Sequence, residues 1–143
     1  MGLVMVKIKL TNFEDLRDVE EGVLAERAVR TLEIEALADT GVVELAIPED
    51  VVEALGFPVI RHNRYTVADG RAVVLPIAGM VAVEVLGRRV TGEAIVLPRG
   101  SRALLGAVQL ELMDLVVVPR TGEVIANPAH PDGPELPLLS LAG

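Results

Sequence analysis

The sequence predicts an all-β domain with one or two short helices. Hydrophobic residues make up 51% of the 143 residues but aromatic residues only 2%, so the core must be aliphatic. The many valines favour strands over helices. Several stretches also alternate apolar and polar residues with a period of two, the pattern of a half-buried strand. A chain of this length is expected to form one domain, here residues 1–126, followed by a proline-rich arm or tail, residues 127–143.

The N-terminal third begins with a strand and an acidic segment. Residues 1–10 alternate apolar residues with lysines, which predicts a strand and lacks the apolar centre of a signal peptide. Residues 12–22 are rich in Asp and Glu, but their spacing does not fit a calcium-binding EF-hand loop, so we expect a solvated loop or a single helical turn. Further strands are predicted at residues 23–27, 29–38 and 42–47.

The strand predicted over residues 29–38 ends at Asp39, where its alternation stops. Thr40 and Gly41 follow; the hydroxyl can bond locally, and the glycine can take a positive φ or let another backbone approach closely. The simplest interpretation of this tripeptide is an Asx turn. The sequence therefore places one carboxylate on a tight turn at a strand end.

The middle of the chain predicts a helix and a hairpin. Pro48 stands at the first helical position and Gly56 is placed to end the helix. An Asp-Gly pair between two β-prone runs, residues 65–67 and 72–75, is a strong hairpin signal. The tip of this hairpin consists of Ala68, Asp69, Gly70 and Arg71.

The C-terminal half predicts strands, a second helix and the tail. Residues 81–86 and 88–97 are predicted to be strands, with Arg88 and Arg89 in a solvated turn. Val108, Leu112 and Leu115 share one face of a helix predicted over residues 107–114. Residues 115–118 and 124–125 are expected to be strands joined by a turn. The tail carries four leucines that would be unusual in solvent, so we expect them to pack on the domain or on a second subunit: Leu136, Leu138, Leu139 and Leu141.

Composition excludes several classes of function. A net charge of −8 and the near absence of aromatic residues argue against nucleic-acid binding. No apolar run approaches the roughly 20 residues of a membrane-spanning helix, so we expect a cytoplasmic protein without a membrane partner. The absence of cysteine excludes disulfides, thiolate catalysis and Cys-based zinc sites. The two histidines, His62 and His130, are far apart in sequence, so no metal or cofactor is expected.

Three short motifs occur in a fixed order: Ala38-Asp39-Thr40-Gly41, then Ile47-Pro48 leading into a helix that ends at Leu55-Gly56, then Leu104-Leu105-Gly106 followed by an apolar run to Pro119. In the order and spacing of these three motifs, the chain resembles the retropepsin-like aspartic proteases, the single-lobe relatives of pepsin. The resemblance covers roughly residues 20–126. The resemblance implies a single-lobe acid-protease closed barrel that hydrolyses a peptide or protein substrate.

The resemblance also implies roles for individual residues. Asp39 would be catalytic, Thr40 would link two active-site loops across a two-fold axis, and Gly41 would present backbone to the substrate. The hairpin tip, Ala68 to Arg71, would be the flap that closes over the substrate. Leu104, Leu105 and Gly106 would support the substrate cleft. The chain departs from the family pattern at Val42, Leu45, Ala107 and Val108.

Amide hydrolysis by carboxylates takes two of them across one water, one ionised to accept its proton and one protonated to bond the substrate carbonyl. The chain has one Asp-Thr-Gly, so an active form is expected to be a homodimer with two Asp39 residues at its axis. Two other classes remain open. One is an inactive binding or scaffold module on the same fold, which Val42 and Leu45 favour. The other is an unrelated small β-barrel or sandwich in which Asp39 belongs to an ordinary turn.

Overall fold

A computed structural model describes residues 3–139, which form nine strands and three short α-helices. Six strands close a barrel in the order β1-β2-β7-β3-β6-β5, with β5 returning to pair with β1, and β4 extends β5 on its outer side. The remaining two strands, β8 and β9, form a separate hairpin. The bounds of the strands are β1 (Met5–Asn12), β2 (Thr31–Ala38), β3 (Ala46–Pro48), β4 (Val59–Thr66), β5 (Ala72–Val85), β6 (Arg88–Leu97), β7 (Ala103–Leu105), β8 (Leu115–Val118) and β9 (Glu123–Ala126).

The barrel encloses an aliphatic core, which confirms the prediction of an all-β barrel. Its largest fully buried side chains include Ile8, Leu10, Leu45, Ile47 and Leu105. Burying an aliphatic side chain of this size contributes about 1.5–3 kcal/mol, so these residues dominate the stability of the fold.

Strand β7 connects two distant parts of the barrel. It pairs in parallel with β2, with Ala38 opposite Leu105, and antiparallel with β3, where Ala46 lies opposite Leu104. The segment between β2 and β3, residues 39–45, therefore passes over the C-terminal end of β7. Of the strand predicted over residues 42–47, only the last two residues belong to β3, and residues 41–45 are turn and irregular backbone.

The acidic segment is a helix, where the sequence predicted a loop or a single turn. Helix α1 (Phe13–Glu20) has eight residues, and the Asn12 side chain caps it by accepting a hydrogen bond from the Asp15 N–H at 3.1 Å. Asp15 is buried and pairs with Arg30. The strand predicted at residues 23–27 is also wrong, because residues 26–28 form a 3-10 turn.

Helix α2 (Glu49–Leu55) confirms the predicted helix and its end at Gly56, but it begins one residue after the predicted start at Pro48. Pro48 is its N-cap residue, and Gly56 ends it with φ +70°. This left-handed conformation favours glycine. A Cβ at Gly56 would also collide with the guanidinium of Arg30.

Helix α3 (Ala107–Leu112) is two residues shorter than predicted, and the face that carries Val108 and Leu112 does not meet the core. Leu110 and Met113 are buried, whereas Val108 is 38% and Leu112 is 43% exposed. The predicted solvated turn at Arg88 is wrong as well. Arg88 is only 6% exposed, and its guanidinium donates hydrogen bonds to the backbone carbonyls of Met113, Asp114 and His130.

The predicted hairpin is confirmed, and its arms are longer than expected. Strand β4 includes most of the segment between α2 and the predicted hairpin, and β5 continues past Pro76 with an irregularity between Ala78 and Val81. Thr66 pairs with Ala72, so the tip lies at residues 67–71.

Part of the C-terminal tail packs on the domain. Residues 127–135 form hydrogen bonds with Asp114 and Arg88, whereas Leu136, Leu138 and Leu139 are exposed. Leu141 lies outside the described residues. Within residues 3–139, none of the helices has both the length and the apolar character needed to cross a membrane.

Candidate functional site at Asp39

Asp39 follows β2 directly and is fixed from the neighbouring strand. Its N–H donates to the Leu105 carbonyl at 3.0 Å, which continues the β2–β7 pairing by one residue. The Asp39 backbone is therefore part of the barrel, while its side chain stands at the barrel end and is partly exposed.

The three residues Asp39, Thr40 and Gly41 form an Asx-type turn. The Gly41 N–H donates to Asp39 Oδ1 at 2.8 Å, and the Val42 N–H donates to the Asp39 carbonyl at 3.2 Å. Within residues 3–139, no other hydrogen bond or ion pair to the Asp39 carboxylate is formed, and the exposed Thr40 hydroxyl makes no hydrogen bond. The turn therefore leaves Oδ2 available to a substrate, a water or a second subunit.

Gly106 lets the loop after Asp39 lie directly against the end of β7. A Cβ built on Gly106 would be 2.6 Å from the Glu44 carbonyl oxygen and 2.8 Å from the Glu44 nitrogen. Real Cβ atoms do not approach backbone this closely, so this position requires glycine. Two hydrogen bonds follow it: Ala107 N–H to Val42 O at 2.7 Å and Val108 N–H to Val43 O at 3.0 Å. The first turn of α3 thus fixes the loop that carries Asp39.

The other two residues predicted to support the cleft, Leu104 and Leu105, pack in different hydrophobic clusters. Leu105 is fully buried in the main core. Leu104 is partly buried and belongs to a smaller cluster with Tyr65 and Leu75 from the hairpin arms. Leu45, one of the positions at which the sequence departs from the retropepsin-like pattern, lies in the core at 1% exposure.

A small apolar cavity of about 260 Å³ opens beside Asp39 and Thr40. Its walls come from three segments: the two residues Leu3 and Val4 before β1, the end of β2 with the Asp39 turn, and the end of β8 with Pro119. Sequence reasoning missed the contribution of Leu3, Val117 and Pro119, because no local pattern relates these residues to the Asp39 turn.

The hairpin approaches the site with the end of its arms next to the tip. The Tyr65 hydroxyl lies 3.5 Å from Glu44 Oε2, and Tyr65 packs in the same cluster as Leu104. At the tip, Gly70 has φ +88°, and Asp69 accepts hydrogen bonds from the Arg71 backbone and guanidinium. The tip residues Ala68, Asp69, Gly70 and Arg71 are all exposed.

A second polar cluster lies at the other end of β8 and contains His130. Asp114 Oδ1 accepts from Asn127 Nδ2 at 2.9 Å, and Asp114 Oδ2 lies 2.6 Å from His130 Nδ1 and 3.2 Å from the Glu135 nitrogen. We call Arg88, Asp114, Asn127, His130 and Glu135 the C-terminal clasp. The hydrogen bond from Asn127, with those from Glu135 and His130, lowers the pKa of Asp114 to about 2.

Residues 3–139 contain no group of three or more His, Asp or Glu side chains arranged to bind a metal ion. His62 lies exposed on β4, whereas His130 belongs to the C-terminal clasp. Comparison with models of known protein families gives no match to this chain, and comparison with curated proteins gives none either.

Proposed function

We propose that the chain is an aspartic endopeptidase that hydrolyses peptide bonds as a homodimer, with one Asp39 from each subunit. The observation that carries the proposal is the Asp39 turn: a carboxylate at the end of a barrel strand, fixed through its backbone, with Oδ2 free of partners in the described chain.

The chemistry follows from bringing two such carboxylates together. Two carboxyl groups in close contact do not both ionise, because their negative charges repel, so the pair shares one proton. The ionised carboxylate accepts a proton from a water as it attacks the scissile carbonyl, and the protonated one donates to the carbonyl oxygen. The tetrahedral intermediate then collapses, and the amine leaves with a proton from the pair. No metal or cofactor takes part.

Two further features support a shared site. The cavity beside Asp39 is open and apolar, with Leu3 62% exposed, so a second subunit has apolar surface to cover there. The loop carrying Asp39 is fixed by Gly106, Ala107 and Val108, which gives the pre-organisation that positioned carboxylates need. In this proposal the exposed Thr40 hydroxyl links the two loops, and the hairpin tip is a flap over the substrate.

The test compares the wild type with Asp39→Asn on a peptide library between about pH 4 and 7. Asn keeps the side-chain oxygen that accepts from Gly41, so the turn and the fold are retained. Hydrolysis is expected to fall by at least about a thousandfold, because the substituted side chain no longer exchanges a proton with the water. Asp18→Asn, at a surface carboxylate on α1, is the matched control and is expected to keep full activity.

A mixing experiment tests the shared site separately. Excess Asp39→Asn subunit added to wild type is expected to reduce activity, because mixed dimers contain one carboxylate in place of two. Activity that survives in pure Asp39→Asn would assign the catalyst to another residue. Peptide binding without cleavage in the wild type would favour the scaffold function on the same fold.

A further inference from the structure

A groove runs between α3 and β6, and the core residues Leu45, Val81 and Val83 contribute to its lining. Val108 and Leu112 form one wall and residues 90–93 of β6 the other, with Val43 at one end and a volume of about 280 Å³. Val43 is 65%, Leu112 43% and Val108 38% exposed. Three large exposed aliphatic side chains around one groove form a surface that is usually covered in solution.

The C-terminal clasp lies at the other end of the same groove. Arg88 begins β6, two residues before the groove wall, and its guanidinium donates to the carbonyls of Met113 and Asp114, which follow α3 directly. Arg88 also donates to the His130 carbonyl, and the Glu135 N–H donates to Asp114 Oδ2 at 3.2 Å. The tail is therefore attached where the two walls of the groove meet.

The tail leaves this attachment point with apolar side chains in solvent. Leu136 is 49%, Leu138 71% and Leu139 fully exposed. The four residues from Leu136 to Leu139 span roughly 13 Å when extended, and the four residues 90–93 of β6 span a similar distance. The tail thus matches the groove in length, and its leucines match the apolar residues of the α3 wall.

We propose that residues 136–139 act as a strap that closes over the groove between α3 and β6. The leucines would cover Val108, Leu112 and Val43, and the strap would bring backbone N–H groups to a wall that includes Gln109. The Gln109 side-chain oxygen is buried and has no hydrogen-bond partner among the described residues, and a buried carbonyl of this kind favours a nearby donor.

Closure of the strap would also act on the Asp39 loop. Val43 forms one end of the groove, and its carbonyl accepts the Val108 N–H, while Val42 accepts the Ala107 N–H. Packing leucines on Val43 and Val108 therefore restrains the loop that carries Asp39. Docking of the strap does not depend on the proposed peptidase activity. Only an effect of docking on turnover rests on the proposed function.

A disulfide trap in the full chain tests the docking, since the native sequence has no cysteine. Thr91→Cys on the β6 wall is combined with Pro137→Cys, which leaves every leucine in place. The control pair combines Pro137→Cys with Thr121→Cys, an exposed position in the turn between β8 and β9. Under mild oxidation, the groove pair is expected to form an intramolecular disulfide at least about ten times faster than the control pair, because docking raises the local concentration of the two thiols.

Equal rates for the two pairs would overturn the strap, as would the absence of an intramolecular disulfide. Disulfide-linked dimers would assign the groove to the tail of a second copy and would also overturn it. None of these readouts uses peptidase activity, so failure of the strap and failure of the proposed enzyme are distinguishable.

Hydrogen exchange gives a second readout at two reporter amides, Ala107 and Val108. Replacing the three described tail leucines by Ser is expected to speed exchange at both amides about tenfold. Without the strap, the hydrogen bonds from these amides to the carbonyls of Val42 and Val43 open more often. Val23→Ser, at a residue 75% exposed in a loop, is the control and should leave both amides unchanged. Unchanged exchange in the tail variant would contradict closure.

Discussion

Asp39 and Asp114 are carboxylates in contrasting environments. Asp114 accepts hydrogen bonds from Asn127 and the Glu135 backbone and contacts His130, and these contacts lower its pKa to about 2. Within residues 3–139, the Asp39 carboxylate accepts a single hydrogen bond, from the Gly41 N–H of its own turn. Asp114 uses its charge to attach the tail, whereas Asp39 keeps an oxygen free. Both carboxylates lie beside the end of a strand, so position does not distinguish them. The number of hydrogen-bond partners therefore distinguishes a carboxylate with a structural role from one that is available for chemistry.

The largest effect is expected from Gly106→Ala, which breaks the support beneath Asp39. The new Cβ would lie 2.6 Å from the Glu44 carbonyl oxygen, and since the obstacle is backbone, the loop itself must move. We expect a loss of about 2–4 kcal/mol in the free energy of unfolding, measured by urea denaturation.

Gly92→Ala is the matched control for this substitution. A Cβ at Gly92 meets no atom within 4 Å, so the change should cost less than about 0.5 kcal/mol. Equal losses in the two variants would show that the contact between Gly106 and Glu44 does not fix the loop.

Asp114→Asn is expected to have the next largest effect, and one that depends on pH. The folded pKa of Asp114 is about 2, below the roughly 3.9 of an unfolded Asp, so its charge stabilises the folded state. That contribution is complete above about pH 4 and is lost as the pH falls towards 2. The wild type should therefore exceed Asp114→Asn in stability at pH 6, and the difference should shrink below pH 4.

Thermal unfolding at a series of pH values measures this difference, with Asp39→Asn as the control. Because the amide introduced by that control keeps an oxygen that accepts from Gly41, the control should unfold within experimental scatter of the wild type at pH 6. A pH-independent gap for Asp114→Asn would mean that the clasp acts through shape alone and not through the charge of Asp114.

Much of the fold follows from local signals in the sequence. The α2 helix is set by Pro48 and Gly56, and the hairpin by Asp69 and Gly70, because caps and turns depend on residues within a few positions of one another. Helix α1 was missed because its cap, Asn12, stands before acidic residues that equally suit a solvated loop.

Other features depend on distant contacts and have no local pattern. Arg88 is buried because carbonyls from the end of α3 and from the tail surround it. Apolar periodicity placed Val108 and Leu112 on one face of α3, but it does not reveal which side of a short helix meets the core. At the site, the Asp39 turn was predicted from sequence, but the cavity beside it was not. Its walls come from three segments far apart in sequence: the residues before β1, the end of β2 and the end of β8.

Thr40→Ala is expected to have the smallest effect on the fold, and it separates a role within one chain from a role between two subunits. The Thr40 hydroxyl is exposed and makes no hydrogen bond within the described residues, so its loss should change the stability of the monomer by less than about 0.5 kcal/mol. In the proposed dimer the same hydroxyl links the two loops, and its loss should weaken association by roughly thirtyfold, as expected for a net hydrogen bond of about 1 kcal/mol at each of two symmetric contacts. Sedimentation across a range of concentrations measures the association, and denaturation at the lowest concentration measures the stability of the monomer.

Thr31→Ala is the contrasting variant, because Thr31 Oγ1 lies 2.9 Å from Thr11 Oγ1 within one chain. It should lower monomer stability and leave the association of folded subunits unchanged. If Thr40→Ala instead leaves association intact, the Asp39 loops of two subunits do not meet through Thr40. The free oxygen of Asp39 would then not belong to a catalytic pair shared through this contact.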